Sequence, residues 1–71
     1  MKFNYDKKTD SLSVIFRNEK VDDTEEIRPG VIVDFNEHGS VLAIEILNAS
    51  NKVDSLNKLM IDNRIYELEL V

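Results

Sequence analysis

The segment Val31-Ile-Val-Asp-Phe-Asn-Glu-His-Gly-Ser-Val-Leu-Ala-Ile-Glu-Ile-Leu47 constrains the fold more than any other part of the chain. Two apolar, β-branched runs flank a short polar stretch with one glycine, which is the pattern of a β-hairpin. Pairing Asn36 with Gly39 around Glu37-His38 sets Val33 opposite Leu42 and Val31 opposite Ile44. Val31, Val33, Phe35, Leu42, Ile44 and Ile46 then share one apolar face. A slip of one residue would bring Glu45 onto Val31, so this register is the expected one. The opposite face carries Ile32, Val41, Ala43 and Leu47, interrupted by Asp34 and Glu45.

A first hairpin is read from Lys2–Asp6 and Ser11–Arg17 around Lys7-Lys8-Thr9-Asp10. Setting Asp6 against Ser11 puts Tyr5 opposite Leu12, Phe3 opposite Val14 and Met1 opposite Phe16, all on one face. The other face is mostly polar, as an antiparallel sheet with one wet side requires. Asn18 to Asp23 reads as loop and Thr24 to Arg28 as a short strand, after which Pro29-Gly30 bends or bulges the chain. Asn48-Ala-Ser-Asn51 offers helix-capping chemistry, with Ser50 or Asn51 as the cap. Val53, Leu56, Leu59 and Met60 recur at helical spacing, which predicts a short helix to about residue 61. Asp62-Asn63 is a turn signal, and Arg64 to Val71 alternates as a half-buried strand.

The expected fold is therefore α+β. An antiparallel sheet of four to six short strands, including two N-terminal hairpins, carries one short C-terminal helix packed on one face and a terminal strand. The 71 residues form a single domain, near the lower size limit for folding on a core alone. There is no cysteine to supplement that core, so oligomerisation is the remaining common source of buried area. A net charge of −5, with the basic residues scattered, argues against nucleic acid as a partner. No apolar run has the length of a membrane helix and no signal-peptide pattern opens the chain, so cytoplasmic residence is the expectation.

One string of residues carries a resemblance: Tyr5-Asp6-(x3)-Asp10-Ser11-Leu12, then Ile27-Arg28-Pro29-Gly30-Val31-(x2)-Asp34-(x4)-Gly39-(x4)-Ile44-Glu45-Ile46-Leu47-(x)-Ala49-Ser50. Over roughly residues 3 to 50 the chain resembles the small YuzE-like proteins of bacteria and archaea, a domain of unknown function numbered 2283. Asn48 stands where that family usually carries an acidic residue. The resemblance implies a compact sheet-plus-helix domain and brings no activity and no catalytic residues with it.

Asp34, Asn36, Gly39 and Glu45 also fit a calcium-loop pattern, from which His38 departs. A calcium loop closes between two helices, whereas both flanks here read as strands. In the expected register Glu45 lies four residues beyond the partner of Asp34, roughly 13 Å along the strand and too far to share an ion. His38, the single histidine, falls at a hairpin tip with only Glu37 beside it, a solvated position. Asp6 and Asp10 bracket a turn, where Asp side chains ordinarily bond backbone amides. Pro29-Gly30 reads as a bulge rather than an anion site.

These readings assign no catalytic, cofactor or metal residue. They point to a non-enzymatic protein-interaction module that self-associates, most simply as a dimer. Its contact is either the Ile32, Val41, Ala43, Leu47 face or an edge strand paired across a two-fold axis. A second reading is an antitoxin-like or regulatory subunit that covers a basic protein through the acidic segment Asp22, Asp23, Glu25, Glu26. A third, an enzyme or metal site on Asp6, Asp10, Asp34 and Glu45, needs carboxylates that the expected faces scatter.

Overall fold

A computed structural model describes residues 1–52 in full and the backbone of residues 58–61 and 64–67. Five antiparallel strands form the main sheet: β1 (Lys2–Asp6), β2 (Ser11–Ile15), β3 (Asp23–Arg28), β4 (Val31–Phe35) and β5 (Val41–Leu47). Their order across the sheet is β1-β2-β5-β4-β3. The hairpin β1–β2 and the meander β3–β4–β5 thus join where β5 pairs with β2. A 3-10 turn, Ala49–Asn51, follows β5, and β6 (Lys58–Ile61) and β7 (Arg64–Glu67) form a separate two-stranded antiparallel sheet.

The first hairpin takes the expected register, with Phe3 opposite Val14, Tyr5 opposite Leu12 and Asp6 opposite Ser11. β2 stops at Ile15 because the amides of Phe16 and Arg17 both turn to the Leu42 carbonyl, at 2.8 and 3.2 Å.

The central hairpin differs from expectation in two places. Its turn is one residue longer: Asn36 N–H bonds the Ser40 carbonyl at 3.0 Å, and Gly39 sits at φ +79° inside the loop. A turn closed by a residue in the left-handed region is the three-residue hairpin loop, which glycine enters without a Cβ penalty. This slip sets Val41 opposite Phe35. A bulge then leaves Leu42 without an opposite residue on β4, shifts the register by one more, and sets Ala43 opposite Asp34 and Ile44 opposite Val33. Two single-residue shifts restore the original facial phase, so Ile44 and Ile46 still point into the core. Val41, however, moves to the core face, and its assignment to the opposite face is corrected.

Val14, Val31, Val33 and Ile46 are wholly buried, and Ile44, Val41, Phe35 and Ala49 complete the same cluster. Leu42 is buried too, apart from that cluster. Pro29-Gly30 joins β3 to β4, with Arg28 opposite Val31 and Gly30 at φ +76°. The bulge that accompanies this turn falls at Ile27, which leans into the core.

The α+β expectation is overturned, because no α-helix occurs among the described residues and the fold is almost wholly antiparallel sheet. Asn48 enters the left-handed region at φ 54°, and neither Ser50 nor Asn51 caps a helix; the 3-10 turn closes with Lys52 N–H on the Ala49 carbonyl. Leu59 and Met60, read as the end of a helical stripe, lie in strand β6, while Val53 and Leu56 fall outside the described residues. The register sets Ile61 against Arg64, and the turn signal Asp62-Asn63 lies outside the described residues. Two apolar runs separated by two such residues are a local hairpin signal, and an apolar stripe of about three turns is a weak competitor for it. β7 covers the first half of the strand read from Arg64 to Val71, and the rest lies outside the described residues.

Candidate functional site

Three of the residues that carried the resemblance, Tyr5, Ala49 and Ser50, converge on a fourth, Asp10. Its position at φ 53° is one that Asp tolerates better than most side chains, and it turns the carboxylate back over the hairpin. There Oδ1 accepts the Tyr5 hydroxyl at 2.7 Å and the Ser50 amide at 3.2 Å, and Oδ2 accepts the Ser50 hydroxyl at 2.7 Å. The Asp10 carbonyl takes the Ala49 amide at 2.9 Å. The β1–β2 turn is thereby fastened to the chain leaving β5, 40 residues later. The Tyr5 bond, followed by that of Ser50, holds the Asp10 carboxyl below its ordinary pKa. The same bond to Asp10 raises the Tyr5 phenol above its ordinary value.

A second fastening sits at the same end of β5, on its β4 side. Leu47 N–H bonds the Gly30 carbonyl at 2.8 Å, and Lys52 Nζ donates to the Leu47 carbonyl at 2.7 Å and to the Pro29 carbonyl at 3.4 Å. A β-carbon added at Gly30 would meet the Lys52 ammonium.

Asp6 and Asp34 are likewise engaged in local structure. Asp6 Oδ1 accepts Lys8 N–H at 2.9 Å, an Asx-type turn bond. Asp34 Oδ1 accepts the Thr24 hydroxyl across the β3–β4 pair at 2.7 Å. Asn36 is buried, its oxygen taking the amides of His38 and Ser40 and its Nδ2 donating to Glu19. Since Ala43 faces Asp34 and Glu45 faces Ile32, Glu45 stands only two residues beyond the partner of Asp34, not four. The separation along the strand is therefore about 7 Å rather than the larger value expected. Even so, Asn36 turns its oxygen into its own loop, and among the described residues no three His, Asp or Glu side chains gather as a metal site. His38 is exposed, with Nε2 3.5 Å from Glu37.

The face opposite the core holds an open polar depression of about 530 Å³, lined by Asn4, Asp6, Thr9, Ser11, Ser13, Glu45, Leu47 and Asn48. Sequence reasoning treated Asn4, Ser11 and Ser13 as a plain wet face. That they line one hollow with Glu45 depends on β5 pairing with β2, which no local pattern announces. Beside it Ile32 and Ala43, with Ile15, are half-buried around a smaller groove of about 180 Å³. With Val41 in the core, the expected apolar patch shrinks to Ile32, Ala43 and Leu47, all half-buried and divided by Asp34 and Glu45.

The large exposed apolar groups are elsewhere. Of the four, Val21 lies in the β2–β3 loop, and Met1, Phe3 and Tyr5 lie in or beside β1, at 66, 43 and 50% exposure. All five residues of β1 are exposed, and its outer side has no neighbour among the described strands. The opposite edge, β3, is exposed as well but carries Asp23, Glu25 and Glu26, with Asp22 just before it.

Sheet order and fastenings together define a small antiparallel β domain whose turns and strand ends are tied by Asp6, Asp10, Asn36 and Lys52. The chain belongs to the family described as protein of unknown function DUF2283, whose model matches residues 2–50. That span runs from the start of β1 to Ser50, the last residue bonded to Asp10. No curated protein and no solved structure matches the chain. Among the described residues, no helix is long and apolar enough to cross a membrane.

Proposed function

We propose that this domain is a non-enzymatic protein-interaction module that self-associates, using the open β1 edge of its sheet as the contact. The observation that carries this reading is the collection of Met1, Phe3 and Tyr5, 43 to 66% exposed, along an edge strand whose outer side has no neighbour among the described strands. An edge with apolar side chains is a ready template for another strand, and proteins that must avoid pairing blunt such edges with charge. β3 is blunted in that way by Asp23, Glu25 and Glu26. A domain this small gains more than most from added buried area. The non-enzymatic part rests on the carboxylates: Asp6, Asp10 and Asp34 each accept local hydrogen bonds that shape the fold. Light scattering on the purified protein over a concentration series tests the proposal. A mass that climbs to twice that of the chain is expected, and a constant monomer mass at the highest concentration refutes it. A basic partner on Asp22, Asp23, Glu25 and Glu26 would instead give a complex that weakens steeply with salt.

A further inference from the structure

Resting on that reading, we infer that the partner of β1 is β1 of a second copy, paired antiparallel about a two-fold axis through Asn4. The strand reads Lys2-Phe3-Asn4-Tyr5-Asp6, and its charges and rings are self-complementary about its midpoint. In this register Lys2 of each copy faces Asp6 of the other, Phe3 faces Tyr5, and Asn4 faces Asn4. Opposite charges and aromatic pairs directly across a strand pair both stabilise it. Moving the axis one residue either way in the chain, to Phe3 or Tyr5, leaves Lys2 or Asp6 without its opposite charge. A half-step shift sets Phe3 opposite Asn4 and turns the core face of one copy onto the wet face of the other. Only the axis at Asn4 pairs all five residues and matches both faces.

The Tyr5 ring is also placed in advance. Phe3 and Tyr5 stand on the core side, opposite Val14 and Leu12, and the Tyr5 hydroxyl is held by Asp10 at 2.7 Å. Fixing a ring before association reduces the entropy lost when it is buried. The same operation on β3 would set Glu25 against Glu26 of the second copy, and its bulge at Ile27 interrupts the ladder. The assembly is then a ten-stranded sheet with acidic β3 strands at its two ends.

The test uses the absence of native cysteine. Asn4→Cys places one thiol per chain on the axis, where paired antiparallel Cα atoms lie about 4.5–5.5 Å apart, within disulfide reach. Glu25→Cys, on the exposed β3 edge, is the control. At micromolar protein under mild oxidation, Asn4→Cys is expected to cross-link about a hundredfold faster than Glu25→Cys, since a thiol held across the axis acts at millimolar effective concentration. In an otherwise native chain, Lys2→Glu sets like charges opposite each other twice and is expected to raise the dimer dissociation constant about tenfold. Equal cross-linking rates in a protein that does dimerise would overturn the β1 pairing and leave self-association standing. A native chain that stays monomeric at every concentration would overturn both.

Discussion

Asp10 is where one side chain does most to fix the sheet. Its carboxylate accepts from Tyr5 and Ser50, so deprotonation favours the folded state and the folded pKa falls below the ordinary 3.8. By linkage that contribution is complete above the unfolded value, about pH 4, and is lost as pH falls through the lowered folded value. Tyr5 runs the other way: its folded pKa is raised above 10.0, so its contribution holds below that pH and is lost as the phenol ionises at higher pH. Asp10→Asn keeps a residue that tolerates positive φ and removes the charge. The variant should unfold at lower denaturant than the native protein at neutral pH, with the gap closing below about pH 4. A gap independent of pH in urea titrations would contradict the assignment. Gly30 makes a second residue-scale prediction. At φ +76°, with the Lys52 ammonium where a β-carbon would go, Gly30→Ala should cost about 1–2 kcal/mol in chemical denaturation. Part of this was readable in sequence: Pro29-Gly30 announced a turn, and Asp6 and Asp10 announced turn chemistry. That Asp10 reaches Ser50 was not readable, because the contact exists only after β5 has paired with β2.

At the scale of elements, the central hairpin shows how far periodicity reaches. Alternation in Val31–Phe35 and in Ala43–Leu47 assigned the faces correctly, since a side-chain period of two survives any even shift in register. The turn length was misjudged, although Gly39 after Asn36-Glu37-His38 is the signal for a three-residue loop. The compensating bulge at Leu42 left no trace, because Val41 and Leu42 are both apolar and both buried, so neither register exposed an error. Leu59 and Met60 fitted both a helical and an alternating period, and they lie in β6, paired with β7. Asn36 organises the longer turn by accepting two backbone amides while nearly out of contact with water. Asn36→Ala strands those amides and should lower stability by about 1–3 kcal/mol in urea unfolding monitored by circular dichroism. Ile44→Ala, at the centre of the buried face, should cost about 2–5 kcal/mol in the same experiment.

At the scale of the molecule, one edge of the sheet is acidic and the other aromatic with balanced charge. Composition predicted the need for added burial, and patterning left its place open between the face of the central hairpin and an edge strand. Strand order supports the proposed β1 contact, because only the topology reveals which described strands end the sheet. Most of the proposed contact is backbone pairing and ring packing, with Lys2–Asp6 pairs exposed to solvent. Raising salt should therefore weaken the dimer only slightly, in contrast to a complex steered by the β3 carboxylates. Sedimentation equilibrium of the native protein across a dilution series tests self-association most directly. The account predicts a reversible monomer–dimer equilibrium with a limiting mass twice that of the chain; a single monomeric species throughout the series would contradict it.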